Sequence, residues 1–190
     1  MSKRLTDLVL SVAGLICLLP LWALIAVAIK LDSPGPVFFR QERVGRNFRR
    51  FRIWKFRTMA CGIPGTAITG AADARVTRTG RWLRHGKLDE TPQLLNVLAG
   101  EMSLVGPRPE LPLYVAEFRR EYEVLLRVRP GITDLASLRF SDEASLLRGP
   151  DPERIYRDEI LLKKLRLSRR GLERSSWRGD LKLLWRTLCG

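Results

Sequence analysis

The sequence predicts an α+β fold, mainly helical, with an N-terminal membrane helix, a small β-hairpin and amphipathic helices around one compact domain. Three features point to it. Residues 8–29 run for 22 positions without a charge. Residues 51–57 intermix basic and apolar side chains at about the two-residue period of a half-buried strand. Residues 91–100 read as a capped helix that leads to a stiff Gly-Pro-Arg-Pro turn at 106–109.

The uncharged run, LVLSVAGLICLLPLWALIAVAI, is bounded by Lys3, Arg4 and Asp7 before it and Lys30 after it. Its length covers a bilayer core as a helix. Ala26-Val27-Ala28 resembles a signal-peptidase site, but the apolar stretch is longer than a signal core, so the segment is expected to stay. A soluble helix this apolar would need a larger protein around it. Pro20 removes the N–H that would bond Ile16 and crowds that turn, so a kink is expected, which membrane helices tolerate. Residues 40–57 hold eight basic residues and one acid, Glu42, which keeps that flank cytoplasmic. Lys3 and Arg4 sit on the other flank. On charge alone, a straight span and a hairpin bent at Pro20 are equal alternatives.

Ser33-Pro34-Gly35-Pro36 is a stiff link that ends any helix. It divides the chain into a membrane helix, 1–32, and a domain, 33–190. Val37-Phe38-Phe39 starts one strand, a turn follows near 44–47, and 51–57 forms the second, giving a hairpin with cations on one face. Residues 60–74 are Gly- and Ala-rich and read as a loop, and 77–84 as a basic helix. Thr91 is expected as an N-cap, Pro92 as the first helical residue and Gly100 as the stop. Leu181, Leu184, Trp185 and Leu188 share one helical face, away from Lys182 and Arg186. That stripe suits an interfacial helix and equally a packed one.

At 190 residues and 45% apolar content, the chain suits one cored domain. A net charge of +14 calls for a polyanionic partner: nucleic acid, an anionic membrane or a phosphate-bearing substrate. Nucleic acid leaves the apolar segment and the acidic pair Asp89-Glu90 unexplained, and is not expected. Cys17, Cys61 and Cys189 are too scattered for a disulfide framework or zinc site, which fits a reducing compartment. A lone His85 argues against Ser-His and metal-His chemistry.

Capping a helix needs one acid, and here there are two. A carboxylate that attacks phosphorus must be ionised and needs cations to offset phosphate charge, usually with a bridging divalent metal. Lys55, Arg57, Arg84 and Arg108 are the candidate cations. Arg108, between Pro107 and Pro109, projects from a stiff support that suits bidentate phosphate contact. On these residues alone, a capped helix followed by a surface turn remains the competing reading.

WKFRTM at 54–59, DARVTRTGRWLR at 73–84, LDETPQLLNVLAGEMSLVGPRPE at 88–110 and RPGIT at 129–133 follow the proline-centred apolar segment. Together they resemble the bacterial sugar transferase family, the small monotopic phosphoglycosyl transferases, closely over roughly residues 1–140. The resemblance implies transfer of a sugar-1-phosphate from a nucleotide-diphosphate sugar, with UDP the expected nucleotide, to undecaprenyl phosphate, releasing UMP. It implies a ping-pong course through a covalent phosphosugar, and a place at the first membrane step of exopolysaccharide, O-antigen, capsule or glycoprotein glycan assembly. Asp89 matches the nucleophile and Glu90 its acid/base or positioning partner. Lys55, Arg84 and Arg108 match cations around the phosphates, to which Arg57 and Arg129 are added. Mg2+ is the expected cofactor, with Asp89 as its candidate ligand. The N-terminal segment is expected to be re-entrant, broken at Pro20, with the catalytic domain on the cytoplasmic face of the bacterial inner membrane. The bilayer is a partner, and a homodimer is left open.

Departures concentrate toward the C-terminus. Leu19 replaces the family's Ser before Pro20. Asp134-Leu135-Ala136-Ser137 replaces Gly-Trp-Ala-Gln, and Ser168 and Gly171 stand at an Asp-x-x-Tyr. Asp142, Glu143 and Tyr156 are candidate substitutes there, and donor identity does not transfer. The competing class is an inactive basic membrane-associated binding module, against which the intact Asp89-Glu90 pair argues.

Overall fold

The computed structural model describes residues 3–65, 68, 73–147 and 151–189. They form two compact units: Met1–Gln41, Arg52–Gly65 and Ala72–Gly100, and Glu42–Phe51, Thr66–Ala71 and Glu101–Gly190. Helix predominates and the hairpin is present, as the sequence predicts. Of the expected loop at 60–74, residues 66, 67 and 69–72 lie outside the described residues.

In the first unit, α1 (Lys3–Asp32) runs through Pro20 as one helix of 30 residues. Its most apolar window has a mean hydropathy of 2.7, long and apolar enough to cross a membrane. One face is nevertheless docked. Asp7, Ser11, Trp22, Ile25 and Ile29 are buried, at the three-to-four-residue spacing of a helical stripe. Ile16, Leu19, Leu24, Val27 and Leu31 stay exposed. Trp22, Ile25 and Ile29 join Phe56 and Leu83 in a core flanked by Phe38, Leu88 and Leu95. Both ends of α1 are tied within this unit. Arg4 donates to the carbonyls of Val97 and Leu98, at 2.7 and 3.1 Å, and Asp32 accepts from the Thr79 N–H at 2.8 Å.

Strands β1 (Phe38–Val44) and β2 (Arg50–Phe56) form the two-stranded sheet. The expectation of cations on one face is corrected by strand parity. Arg50 and Arg52 point outward while Phe51 and Ile53 are buried, so Lys55 and Arg57 fall on the side of the buried pair. Helix α2 (Arg78–His85) begins at Thr77, whose side chain accepts from the Gly80 N–H, and Gly80 packs so closely on the Thr58 backbone that no Cβ would fit.

In the second unit, β3 (Ser103–Val105) and β4 (Gly131–Thr133) pair in parallel, Ser103 opposite Gly131. Helices α4 (Pro112–Glu117) and α5 (Arg119–Leu125) follow β3, and α6 (Leu135–Arg139) and α7 (Glu143–Leu146) follow β4. Helix α8 (Pro152–Ile155) continues through one π-helical stretch, Tyr156–Leu161, into α9 (Leu162–Glu173), and α10 (Trp177–Cys189) closes the chain. The core joins Leu111, Tyr114, Val115, Tyr122, Leu125 and Leu126 to Tyr156, Ile160, Leu161 and Leu165.

Candidate active site

The acidic pair lies in the first turn of a short 3-10 segment, Leu88–Gln93, which runs directly into α3 (Leu94–Leu98). Leu88 packs on the core of the first unit and Pro92 and Gln93 are buried, so the turn is held at both ends. Thr91 is not the expected N-cap. Its hydroxyl donates to the Leu88 carbonyl at 2.8 Å, across the two acids, and accepts from Trp22. Gly100, at φ 82°, sits in the left-handed region that a helix stop favours. So short a segment carries little helix dipole, and any phosphate charge here falls to side chains.

Lys55 and Arg84 supply them. Lys55 Nζ lies 2.7 Å from Glu90 Oε1, with both side chains about four-fifths buried. Asn96, fully buried on α3, fixes that strand: its carboxamide accepts from the Trp54 N–H and donates to the Arg52 carbonyl, both at 2.9 Å. It pairs with the strand as another strand would, and no local pattern in the sequence marks it. Arg84 Nε donates to Thr58 Oγ1 at 3.0 Å. Burial pushes the Arg84 guanidinium below its ordinary value. Asp89 opposes that shift most strongly, followed by Asp73, while Arg75 adds to it. Asp73 and Arg75, which sequence reasoning passed over, form a close ion pair at 2.6 Å, and that hydrogen bond holds the Asp73 carboxyl below its usual range.

Arg57 is a correction. It is 4% exposed, and its guanidinium donates to the carbonyls of Ser33, Pro34 and Pro36 and to the Ser33 hydroxyl, at 2.6–2.8 Å. These groups are the exit of α1 and the proline link, so Arg57 is committed to holding them rather than a phosphate. Arg57→Lys cannot satisfy this fan of acceptors. It is expected to cost about 2–4 kcal/mol of stability in a thermal melt and to leave the KM for the nucleotide donor unchanged.

Arg108 and Arg129 belong to the second unit, where their two segments are locked together. The Gly131 N–H donates to the Pro107 carbonyl and the Gly106 N–H to the Thr133 carbonyl, both at 3.0 Å. Gly106 and Gly131 approach so closely that a Cβ on either would strike the other segment's backbone. Pro107, Pro109 and Pro130 are buried while Arg108 and Arg129 are half-exposed, so the stiff mounting expected of Arg108 is present. Glu110 ends this motif and was given no role from sequence. It is buried, accepts from Tyr156 Oη at 2.7 Å, and pairs with Arg43 at 3.2 Å. Burial raises its pKa, but Arg43, Lys164, the Tyr156 hydroxyl and Arg108 outweigh that and hold the carboxyl below its ordinary value. Tyr156 is 1% exposed, and Glu143 pairs with Lys164 at 2.6 Å. Of the candidate substitutes for the missing family residues, Tyr156 is therefore a core residue, and Asp142 is exposed.

The C-terminal departures meet one another. Asp134 caps α6 by accepting from the Ser137 N–H at 2.7 Å, and accepts a second bond from the Ser168 hydroxyl. A Cβ on Gly171 would lie 3.4 Å from Leu135 Cβ. Four of the residues that break the family pattern thus pair off, carboxylate with hydroxyl and Leu with Gly. On α10 the exposed stripe is Trp177, Leu181 and Trp185, with Leu184 half-buried; the Leu188 side chain lies outside the described residues.

The family model described as bacterial sugar transferase matches residues 1–190. Undecaprenyl-phosphate glucose phosphotransferase of Komagataeibacter xylinus is 49% identical over 73% of this chain and 28% of its own length. UDP-glucose:undecaprenyl-phosphate glucose-1-phosphate transferase of Caulobacter vibrioides is 46% identical over 73% of this chain and 54% of its own. Exopolysaccharide production protein PSS of Rhizobium leguminosarum bv. phaseoli is 43% identical over 78% and 76%. The chain therefore spans about a quarter to three quarters of these relatives.

Proposed function

We propose, from the fact that this chain belongs to the bacterial sugar transferase family, that it transfers a sugar-1-phosphate from a UDP-sugar to undecaprenyl phosphate. The observation that carries the reading is the half-buried Asp89-Glu90 turn with Lys55 and Arg84 against it. A carboxylate oxygen of Asp89 attacks the phosphorus that bears the sugar. The bridging P–O bond breaks and UMP leaves with its electron pair. An oxygen of the lipid phosphate then attacks the same phosphorus, the Asp89–phosphorus bond breaks, and polyprenyl-diphosphate-sugar departs with the carboxylate restored. Glu90, held by Lys55, takes a proton from the incoming lipid phosphate. Lys55 and Arg84 offset phosphate charge at the dyad; Arg108 and Arg129 are proposed as phosphate-binding cations on the family resemblance alone.

Among the described residues no cluster of three or more His, Cys, Asp or Glu side chains could hold a metal. Two carboxylates plus substrate phosphates are nonetheless a usual donor set for Mg2+, so the residues fit the ion. Asp89 would hold it, with Glu90 beside it, and the ion would neutralise diphosphate charge.

The same contacts bear on topology. A helix of 30 residues is about 45 Å long, against a hydrocarbon core of about 30 Å. Thr91 is bonded to Trp22, ten residues before Asp32, so a straight span would carry Lys55, Arg84 and the dyad to membrane depth, where charges are costly. Both ends of α1 are also tied to one unit. These contacts support a re-entrant α1 with the catalytic face at the cytoplasmic surface of the inner membrane, at the first membrane step of glycoconjugate assembly. A single cysteine at Lys3, in a background without the three native cysteines, is expected to react only from the cytoplasmic side; labelling from the periplasm would establish a span.

A screen of UDP-sugars with undecaprenyl phosphate and Mg2+, read by UMP release, tests the reaction. UDP-glucose is the first donor to try, given the names of two relatives. No UMP from any donor would remove the reading.

A further inference from the structure

A hydrogen bond joins the membrane helix to the acidic turn. Trp22 Nε1 donates to Thr91 Oγ1 at 3.1 Å, and the Thr91 hydroxyl donates to the Leu88 carbonyl at 2.8 Å. The direction is fixed, because an indole N–H only donates, which frees the threonine proton for Leu88. Leu88 and Thr91 are the residues on either side of Asp89 and Glu90. The hydroxyl bond therefore closes a ring around the dyad, and the indole holds that ring from outside.

The indole is itself packed in place. Trp22 is 9% exposed, edge-on to Phe56 at 5.5 Å and Phe38 at 6.3 Å. The rest of the acidic segment follows α1 as well. A Cβ on Gly14 would meet Leu94 Cδ1 at 3.3 Å, and Arg4 holds the carbonyls of Val97 and Leu98 at the end of α3. The entry to the turn needs such a brace, since Lys87 sits in the left-handed region at φ 53°, which a non-glycine residue adopts at a cost.

We propose that Trp22, acting through Thr91, is a positioning residue for Asp89 and Glu90, so that the catalytic turn is splinted on the membrane helix. This rests on the reading of Asp89 as the nucleophile. Neither residue touches substrate; their effect is on where the attacking carboxylate stands. A displacement of α1 in the bilayer would then reach the dyad through the indole N–H among other contacts.

The test uses the full chain in lipid nanodiscs, with the single-turnover rate of UMP release, the donor KM and a thermal melt for each variant. Trp22→Phe keeps an aromatic ring and loses the donor; Thr91→Val keeps size and loses the hydroxyl; Thr91→Ser restores it. Trp22→Phe and Thr91→Val are each expected to lower the rate on the order of tenfold, the scale of a small misplacement of a reacting group. The donor KM should stay unchanged, the double variant should be no worse than either single one, and Thr91→Ser should recover most of the rate. Full rates in folded Trp22→Phe and Thr91→Val would overturn the proposal, as would losses that simply add. Should Trp22→Phe fail to fold, Thr91→Val against Thr91→Ser decides alone. Asp89→Asn separates the two levels. If it stays active, the reading of the site fails and the positioning role with it. If it is inactive while Thr91→Val runs at full rate, only the positioning role fails.

Discussion

Asp89→Asn is expected to lower UMP release by about six orders of magnitude, the scale on which a covalent nucleophile is lost, while the protein still sediments with vesicles. Asparagine matches the shape of aspartate, so the brace from Thr91 to Leu88 and the packing of Leu88 and Pro92 are untouched. What goes is the anionic oxygen that would form the bond to phosphorus. Arg84 also loses its strongest opposing charge, so its buried guanidinium should shift further below its ordinary value. Glu90 and Lys55 keep their ion pair. Membrane association should persist because the exposed apolar face of α1 is unchanged. UMP release measured at high enzyme concentration, beside a vesicle pelleting assay, checks both halves. Substantial residual activity would remove Asp89 as the nucleophile.

The second large effect is on stability. Glu110→Ala is expected to cost about 3–5 kcal/mol, the usual penalty for breaking one side of a buried ion pair. Glu110 is 6% exposed, and removing it takes away its ion pair with Arg43 and the acceptor of Tyr156 Oη. Its pKa also makes the contribution pH-dependent. The folded value lies below the ordinary 4.5, so the stabilisation is complete above that value and is lost as pH falls through the folded one. Denaturant unfolding should therefore show wild type well above Glu110→Gln at neutral pH, with the gap narrowing as pH falls below 4.5. A gap that stays constant into acid would mean that Glu110 is not held ionised.

Local features were legible in the sequence wherever one stretch of chain settles its own structure. The basic stretch after Thr77 is helical, Gly100 takes the left-handed stop, and the acids occupy a first turn. The motifs also brought Lys55, Arg84, Asp89 and Glu90 into one list, and the first unit brings these four together. What escaped was set by contacts across the chain. Asp7 and Ser11 disappear among 22 uncharged neighbours or at their edge, yet they mark the docked face of α1. Arg57 looked like any other basic residue of the strand, because its acceptors lie 21–24 positions away. Glu110 finds Tyr156 and Arg43 at separations of 46 and 67. Thr91 has the chemistry of a cap and was read as one; its partner Trp22 is 69 residues distant. Periodicity and capping rules describe neighbours along the chain, and none of these pairs are neighbours.

The most direct test of the central claim is to incubate the protein with a turned-over UDP-sugar and Mg2+ in the absence of lipid acceptor, then map the product by intact-protein and peptide mass spectrometry. The account predicts one equivalent of UMP released and a sugar-phosphate adduct on Asp89, discharged when undecaprenyl phosphate is added. An adduct on another residue, or UMP that forms only once the acceptor is present, would contradict it.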